Sequence, residues 1–348
     1  MNASIQGIES YLPANVVTNA DLAERFPDWS VDRIAEKTGI EQRHIAAADE
    51  YASDLAFQAA EKLFASGACS PAEIDYILLC TQSPDYALPT TACLLQQRLG
   101  ISRHAGALDF NLGCSGYLYG LGMAQGLIGT EQASKVLLLT AETYSKYLGA
   151  KDRSSVTIFG DGAAATLIAA VPDDGLSLRP AYVYGTDGSG ADHLIVRGGG
   201  SRKPSGVGEG ESLWMNGPEI FHFTLQVIPG CVRSLLEKAG MEISDVDLFV
   251  FHQANKYMLD HLRKKLDIPN EKFYVSLASC GNTVSSTIPI ALENACHEGR
   301  IEQGSKVMLV GFGVGLSWGA TVLSWPFLGA TEQAKLSPIK PPLGCRQL

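Results

Sequence analysis

Several short, mainly apolar runs constrain the fold of this chain more than any other feature of its sequence. They lie at residues 76–80, 107–110, 136–139, 163–169, 246–251 and 306–310. Runs of this kind are typical of strands that are buried on both faces of a sheet. Stretches of helical periodicity separate them, among them residues 53–66, 92–99, 219–239, 255–266 and 284–297. Strands that alternate with helices at such intervals indicate parallel βαβ units with helices on both faces.

The order of strands and helices is similar in two halves of the chain. A turn signal, Pro-Asp-Asp-Gly, lies between the halves at residues 172–175. We therefore expect an N-terminal half at 1–174, a C-terminal half at 175–328 and a tail at 329–348. The tail lacks periodicity and is predicted to be disordered or an extension. The glycine-rich stretch at 198–210 is predicted to be a flexible surface loop.

Two residues are expected to limit helices. Asn19 precedes a stretch of helical periodicity and is expected to cap a helix that begins at Ala20. Pro229 lies inside the helical stretch at 219–239. Because proline has no N–H group to continue the helical hydrogen bonds, it is expected to interrupt that stretch.

Composition and charge exclude several classes of protein. The chain has 348 residues, 46% of them hydrophobic, and a formal net charge of −10. This balance suits a large core and makes a nucleic-acid partner unfavourable. No signal peptide and no run of about 18 apolar residues is visible, so no membrane span is expected. The eight cysteines are scattered without metal-ligand spacing, which predicts no metal site and a cytoplasmic location.

One stretch, LDFNLGCSGYLYGLGMAQGLIG at residues 108–129, has no charged residue from Asn111 onward and places a thiol where a strand gives way to a helix. The thiol belongs to Cys114. A helix N-terminus presents free N–H groups and positive partial charge, and both favour a thiolate. We therefore expect Cys114 to ionise more easily than an isolated cysteine. The alternative is a buried cysteine that only fills the core.

Two further side chains accompany the thiol in the predicted loops. His252 follows the strand at 246–251, and Asn282 precedes the helix at 284–297. Ligands of open α/β sheets gather at the carboxyl ends of strands, where Cys114 and His252 are both expected. Taken together, the three groups form the set required for decarboxylative condensation. A thiolate accepts an acyl group, and a neutral imidazole and an amide donate hydrogen bonds to the enolate that forms when carbon dioxide leaves.

The motifs around these residues identify a family resemblance. They are TGIEQRH (38–44), NLGCSG (111–116), DRSSVTIFGDGAAA (152–165), FHQAN (251–255), CGNTVSSTIP (280–289) and GFGVGLSWGA (311–320). Through them the chain resembles the β-ketoacyl-acyl carrier protein synthase III family of thiolase-like condensing enzymes. The resemblance implies a homodimer with a duplicated, five-layered αβαβα fold and two mixed, largely parallel sheets. It also implies that Cys114 is the acylated nucleophile, with His252 and Asn282 as the decarboxylation pair.

The resemblance further implies an acyl pocket and an oxyanion hole. Phe159 and Phe312 match residues that line the acyl pocket, and Leu88 matches the residue, usually phenylalanine, that a dimer partner inserts there. A smaller side chain predicts an acyl group larger than acetyl. The oxyanion hole would use the backbone N–H groups of Cys114 and Val314, where the family usually has glycine. Because a β-branched residue disfavours positive φ, we expect negative φ at Val314.

The expected substrate contacts depart from the family pattern. Arg153 matches the family's adenine-stacking arginine, but Arg33 occupies the position of the stacking tryptophan. Gly217 and Asn255 match residues beside the pantetheine arm. Two further basic positions of the family appear here as His222 and Tyr257. A basic run, Arg263, Lys264 and Lys265, is the candidate docking surface for an acidic carrier protein, or else an ordinary solvated helix face.

The resemblance therefore favours an acyltransferase that condenses an acyl thioester with malonyl-acyl carrier protein to give a 3-oxoacyl thioester. The expected substrates are acyl-coenzyme A and the phosphopantetheine arm of the carrier, with no permanently bound cofactor. The alternative is a specialised relative of secondary metabolism that transfers the acyl group to another carbon, oxygen or nitrogen acceptor. The altered residues at the mouth of the site keep this alternative open. A non-catalytic scaffold is disfavoured because all three reactive side chains are present.

Overall fold

The computed structural model describes residues 2–172, 181–204 and 212–325. The boundary predicted at 174–175 and the tail predicted at 329–348 lie outside these ranges. So does the second part of the loop predicted at 198–210.

The described ranges contain the following strands, in chain order. They are β1 (Asn2–Tyr11), β2 (Asn15–Thr18), β3 (Gln42–Ile45), β4 (Tyr76–Cys80), β5 (Gly106–Phe110), β6 (Lys135–Glu142), β7 (Gly162–Val171), β8 (Ala181–Thr186), β9 (Leu194–Ile195), β10 (Trp214–Met215), β11 (Leu248–Phe251), β12 (Phe273–Tyr274), β13 (Lys306–Gly313) and β14 (Ser317–Ser324).

The α-helices connect these strands. They are α1 (Asn19–Arg25), α2 (Val31–Thr38), α3 (Ala52–Ala65), α4 (Thr91–Arg98), α5 (Gly116–Gly129), α6 (Arg153–Val156), α7 (Gly217–Ala239), α8 (Lys256–Lys265) and α9 (Thr287–His297). No helix within the described ranges is both long enough and apolar enough to cross a membrane.

Two five-stranded sheets share one topology. The first has the order β1-β7-β6-β4-β5, and the second, read from its opposite edge, has the order β8-β14-β13-β11-β12. In both, the first two pairings are antiparallel and the last two are parallel. The predicted duplication is therefore confirmed. The strand predicted at 163–169 corresponds to β7, which is antiparallel to both neighbours and so is not part of a parallel βαβ unit.

The helices form three layers around the two sheets. Helices α3 and α4 cover the outer face of the first sheet, and α7 packs with α8 on the outer face of the second. Helices α5 and α9 lie between the sheets and contact strands of both. Separate apolar clusters fill the two outer interfaces and the central one. The layers therefore alternate as αβαβα, as expected.

The predicted cap at Asn19 and the predicted interruption at Pro229 are both wrong. Helix α1 is capped by Thr18, whose side chain accepts the N–H of Asp21 in a capping box. Asn19 is instead buried in the first turn, where its amide donates to the Ile40 carbonyl oxygen at 2.7 Å. Helix α7 continues through Pro229 without interruption. Its buried face around Pro229 packs on the second sheet, and this packing compensates for the hydrogen bond that proline cannot donate.

The glycines of α5 allow the central layer to pack closely. A Cβ atom on Gly116 would collide with Cys80 Sγ, and one on Gly120 would lie 2.5 Å from Leu138 Cδ1. Gly126, in the same helix, has no atom within 4 Å of the position of its missing Cβ. The low helix propensity of glycine is therefore compensated by packing at Gly116 and Gly120 but not at Gly126.

We expect Gly116→Ala and Gly126→Ala to change stability in opposite directions. Overpacking against Cys80 should lower the free energy of unfolding by about 1–3 kcal/mol in Gly116→Ala. Gly126→Ala should raise it by up to about 1 kcal/mol, because alanine is the better helix former. Denaturant unfolding of both variants measures the difference. If both substitutions changed the free energy of unfolding in the same direction and by the same amount, close packing would not be the reason for glycine at position 116.

Candidate active site

Cys114 lies in the tight turn between β5 and α5 and is buried, with 6% of its surface exposed. The turn packs against the last residue of β13, Gly313. A Cβ atom on Gly313 would lie 2.9 Å from Cys114 Cβ and 3.1 Å from Cys114 Sγ. Glycine is therefore needed for the thiol to approach the carboxyl end of β13 this closely.

The expectation that Cys114 ionises easily is wrong for the free protein. Burial, and then the nearby Glu142 carboxyl, raise the pKa of the Cys114 thiol to about 12. The first N–H groups of the helix also have other partners, because Gly116 donates to the Gly113 carbonyl and Leu118 to that of Ser115. The helix N-terminus therefore compensates for little of the desolvation, and the thiol is protonated at neutral pH.

His252 follows β11 directly and is buried. Its Nδ1 atom lies 2.7 Å from Thr287 Oγ1, and its ring packs edge-on against Phe312 with the centroids 5.5 Å apart. Burial lowers the pKa of His252 to about 3, so the imidazole is neutral at physiological pH. Because Phe312 and Gly313 are consecutive residues of β13, the imidazole and the Cys114 thiol both lie at the same end of that strand.

Asn282 is held in place by its backbone and its side chain. Its N–H donates to the Ile158 carbonyl at 2.9 Å, and its own carbonyl accepts the Gly160 N–H at 3.0 Å. Its side-chain Oδ1 accepts the Val284 N–H at 2.9 Å. The side-chain Nδ2 lies 3.5 Å from His252 Nε2. The amide is thus oriented with its donor group toward the imidazole.

The hydroxyl group of Thr287 is the partner of the imidazole. It donates to the Val284 carbonyl oxygen at 3.1 Å and lies 2.7 Å from His252 Nδ1. If the hydroxyl donates to Nδ1 when substrate binds, the ring proton lies on Nε2. Nε2 and Asn282 Nδ2 would then be two neutral donors close enough to bond to one shared oxygen atom.

The two phenylalanines of the expected acyl pocket lie near the thiol, whereas Leu88 does not. Phe159 and Phe312 are buried in the same apolar cluster as Cys114, and Tyr144 packs on Phe159 with the ring centroids 5.2 Å apart. Leu88 is 81% exposed on the surface of this chain. Within one chain it therefore has no part in a pocket with the phenylalanines.

The loop after β13 is tied to the turn that carries the thiol. Ser317 Oγ donates to the Val314 carbonyl oxygen at 2.9 Å and lies 2.6 Å from Ser115 Oγ. The non-glycine residues with positive φ in the described ranges are Glu131, Asp267 and Val284. Val314 is not among them, so the expectation of negative φ at this position is confirmed.

A cavity of about 480 Å³ lies beside this loop. Its lining includes Tyr144, Leu194 and Leu213, which belong to the apolar cluster of Cys114, and Val314, which packs against that cluster. Gln82 adds an amide to the lining, and its Oε1 accepts the Tyr144 hydroxyl proton at 2.9 Å. The cavity therefore has a mainly apolar wall beside Val314, and its Gln82, Asn111 and Tyr144 side chains are hydrogen-bonded to one another.

Arg33 and Arg153 meet at one surface segment. Arg33 Nη1 lies 3.4 Å from the Asp28 carbonyl oxygen, and Arg153 Nη1 forms an ion pair with the Asp28 carboxylate at 2.9 Å. The guanidinium of Arg33 also lies over the ring of Trp29, 5.5 Å from its centroid. Trp29, four residues before Arg33 and not among the expected contacts, brings an indole ring to the place where the family has tryptophan at position 33.

The other expected contact residues divide into two groups. Gly217 is the first residue of α7, and Asn255 precedes α8 and caps it, its side chain accepting the Met258 N–H at 2.8 Å. Lys264 and Lys265 are exposed in the last turn of α8. Arg263 instead donates to the Ile268 carbonyl oxygen at 3.1 Å. Arg263 therefore closes the end of its own helix rather than facing a partner.

Sequence reasoning also missed Glu142 and Thr287. Glu142 is a fully buried carboxylic acid at the end of β6, and Thr287 is the hydroxyl partner of His252. An acid at the end of an otherwise apolar strand run was the available signal for Glu142. No group of three or more His, Cys, Asp or Glu side chains in the described part of the chain is arranged to hold a metal ion.

Comparisons with known proteins agree with this geometry. A family profile described as 3-oxoacyl-[acyl-carrier-protein (ACP)] synthase III matches residues 108–188, and the profile of its C-terminal part matches 236–325. The β-ketoacyl-[acyl-carrier-protein] synthase III of Caldanaerobacter subterraneus subsp. tengcongensis is 37% identical over 327 residues, which cover 93% of this chain and 98% of the relative.

Solved structures give the same result. A 3-oxoacyl-(acyl-carrier-protein) synthase III matches with a TM-score of 0.90 and 49% identity, covering 93% of this chain and 100% of that one. The enzyme of Pseudomonas aeruginosa PAO1 matches with a TM-score of 0.86 and 34% identity, covering 94% and 100%. The duplicated, layered fold is thus that of the thiolase-like class. Within this class, the chain belongs to the 3-oxoacyl-acyl carrier protein synthase III family.

The raised pKa of Cys114 predicts how its alkylation depends on pH. Because only the thiolate reacts, the alkylation rate should rise about tenfold per pH unit from pH 7 to pH 9 without a plateau. Intact-mass measurement after treatment with a small alkylating reagent gives the rate. Cys114→Ala identifies the adduct, and the exposed Cys93 reports the general reactivity of the reagent. An alkylation rate that stops rising below pH 8 would contradict the raised pKa of Cys114.

Proposed function

We infer that this protein is a β-ketoacyl-acyl carrier protein synthase III-type acyltransferase. It would load an acyl group on Cys114 and condense it with malonyl-acyl carrier protein to give a 3-oxoacyl thioester. The neutral imidazole of His252 beside the Asn282 carboxamide, with Nε2 and Nδ2 3.5 Å apart, supports this function best. The specialised alternative is not favoured, because the relatives above all carry the synthase III name.

In the first half-reaction, Cys114 Sγ attacks the carbonyl carbon of an acyl thioester. The C–S bond of the donor then breaks, and the thiol proton of Cys114 ends on the departing sulfur. The N–H groups of Cys114 and Val314 are proposed to stabilise the oxyanion. The Ser317 hydroxyl, which bonds to the Val314 carbonyl, supports the second donor by fixing the loop.

In the second half-reaction, the C–C bond to the carboxylate of a malonyl thioester breaks and carbon dioxide leaves. His252 and Asn282 donate hydrogen bonds to the resulting enolate oxygen. The enolate carbon attacks the acyl group on Cys114, and the S–C bond breaks to release the 3-oxoacyl thioester. The Cys114 sulfur leaves as a thiolate and takes up a proton. The raised pKa of the Cys114 thiol favours this uptake of a proton.

The substrates are proposed to be acyl-coenzyme A and a phosphopantetheine-bound malonyl group, with no permanent cofactor. Arg33, Arg153 and Trp29 offer guanidinium groups and an indole ring at one segment, which suits a nucleotide. Gly217 and Asn255 are proposed to lie beside the pantetheine arm. Of the basic run, Lys264 and Lys265 remain candidates for docking the acidic carrier, and Arg263 is supported less because of its bond within the chain.

A homodimer is proposed from the free edge of the first sheet. Strand β5 is an edge strand, and a second copy could extend the sheet there. Leu88 and Tyr86 are 81% and 61% exposed, which is costly for large apolar side chains unless a partner covers them. The seven cysteines in the described ranges are free thiols. This suits the reducing cytoplasm that we propose as the compartment.

Acyl groups larger than acetyl are proposed as the primers. The cavity of about 480 Å³ beside Val314 provides space for several methylene groups. Leu88 of a second copy is smaller than the phenylalanine that is usual at this position in the family. A wider pocket follows if a dimer partner inserts this residue.

The two half-reactions should separate in two variants. Cys114→Ala should abolish acyl loading, because the nucleophile is lost. Asn282→Ala should leave loading within about threefold of wild type but slow decarboxylation by about 100–1,000-fold, which is the usual effect of removing one oxyanion donor. Intact mass measures loading, and carbon dioxide release from malonyl-carrier measures the second step. Equal impairment of both steps by Asn282→Ala would contradict the assigned roles.

Primer length should respond to residue 88. Wild type should load acyl groups longer than acetyl, with a gain of up to about fourfold per added methylene until the pocket is full. Leu88→Phe should shorten the longest primer accepted without preventing acetyl loading. Loading from acyl-coenzyme A compounds of increasing length, followed by intact mass, measures both. Exclusive use of acetyl-coenzyme A by wild type would refute the larger pocket.

A further inference from the structure

A buried acid, Glu142, has no part in the proposed chemistry. It is the last residue of β6 and is fully buried. Its carboxyl group accepts the Gln82 N–H at 3.1 Å, the Ser83 hydroxyl at 3.1 Å and the Ser285 hydroxyl at 2.8 Å. Across the described ranges, no basic side chain forms an ion pair with it.

The bond to Ser285 connects the two halves of the fold. Glu142 and Ser285 are 143 positions apart in the sequence, and Ser285 lies three residues after Asn282. The next residue, Ser286, donates to Thr140 Oγ1 at 2.9 Å. The segment from Asn282 to Thr287, here called the donor loop, is therefore attached to the end of β6.

The donor loop fixes both decarboxylation donors. Val284 gives its N–H to Asn282 Oδ1, and the Thr287 hydroxyl contacts His252 Nδ1. Val284 adopts a φ of 55°, a conformation that is strained for a β-branched residue. Strain of this kind persists only where surrounding contacts impose it. The hydroxyl of Ser285, immediately after Val284, provides such a contact at the Glu142 carboxyl group.

We propose that Glu142 is a positioning residue for decarboxylation. Through its bond to Ser285 it holds the strained Val284 turn, and this turn orients the Asn282 amide toward the substrate oxygen. This inference rests on the proposed function and deepens it. Glu142 itself does not touch the substrate.

The buried carboxyl group has no ion-pair partner in the described ranges, and its desolvation is offset by the donors that converge on it from Gln82, Ser83 and Ser285. Burial raises the pKa of Glu142 to about 8, with Asp161, Cys80, Cys114, Tyr144 and Tyr147 as its titratable neighbours. Glutamine keeps the shape of the side chain and one acceptor oxygen, so it is the closest uncharged substitute.

The test compares two single hydroxyl deletions on the same carboxyl group. Ser285→Ala removes the bond to the donor loop, and Ser83→Ala removes a bond on the side of the first sheet. Both hydroxyls are buried, and the Ser83 hydroxyl also accepts the Thr143 N–H at 2.9 Å, so Ser83→Ala is the more disruptive of the two and a stringent control for general loss of packing. Acyl loading from an acyl-coenzyme A is measured by intact mass, and decarboxylation by carbon dioxide release from malonyl-coenzyme A. Thermal unfolding confirms that each variant is folded.

We expect Ser285→Ala to slow carbon dioxide release by about 10–100-fold, because small misplacements of a catalytic group have effects of that size. Loading should stay within about threefold of wild type in both variants, and Ser83→Ala should retain carbon dioxide release. Glu142→Gln should keep most of the activity, because its amide oxygen can still accept the Ser285 hydroxyl. The double variant Ser285→Ala/Glu142→Gln should release carbon dioxide no more slowly than Ser285→Ala alone.

Two results would overturn the inference while wild type remains active. One is an equal loss of carbon dioxide release in Ser83→Ala and Ser285→Ala, and the other is a loss of loading in Ser285→Ala as large as its loss of decarboxylation. If wild type itself neither loads nor releases carbon dioxide, the proposed function fails, and the positioning role fails with it.

Discussion

The turn that carries Cys114 lies against the backbone of β13, and the arrangement of the site depends on this close approach. Residues with a Cβ atom do not fit at Gly311 or Gly313, where that atom would lie within 3 Å of the Cys114 backbone or Cβ. The thiol comes from the first sheet and β13 from the second. The contact therefore fixes the position of one half of the molecule relative to the other at the point where the chemistry is proposed.

The duplicated topology explains why reactive groups from distant parts of the chain meet there. Strand β5 and strand β12 occupy equivalent edges of the two sheets, and each is followed by a loop and then a helix of the central layer. One loop carries Cys114 and the other carries Asn282. Equivalent positions in the two halves thus carry different groups, a thiol in one and a carboxamide in the other, and His252 follows the neighbouring strand β11.

The sequence predicted the parts of the fold that depend on local pattern. The apolar runs marked the strands correctly, because burial on both faces leaves little room for polar residues. Strand direction was not predictable in this way, since β7 has the same composition whether its neighbours are parallel or antiparallel. The role of Asn19 was also missed, because its buried partner at Ile40 is 21 positions away and no local rule includes that bond.

The electrostatics of the site were less predictable than its location. Local reasoning placed Cys114 at a helix N-terminus and expected a low pKa, but tertiary burial reverses the direction. Contacts between residues far apart in the sequence are equally invisible in a local pattern, and Glu142 contacts Ser285 and Thr287 contacts His252 in this way.

A common physical basis connects these observations. Burial shifts the pKa of every ionisable group here toward its neutral form: the thiol and the carboxyl upward, and the imidazole downward. At neutral pH the site is thus a set of neutral dipoles. Such a set can stabilise an enolate as its charge develops without strongly retaining the negatively charged malonyl group from which that enolate forms. Neutral donors have only direction with which to discriminate between these states, and the Asn282 carboxamide has its direction set by the Val284 N–H on its oxygen and by backbone bonds to Ile158 and Gly160.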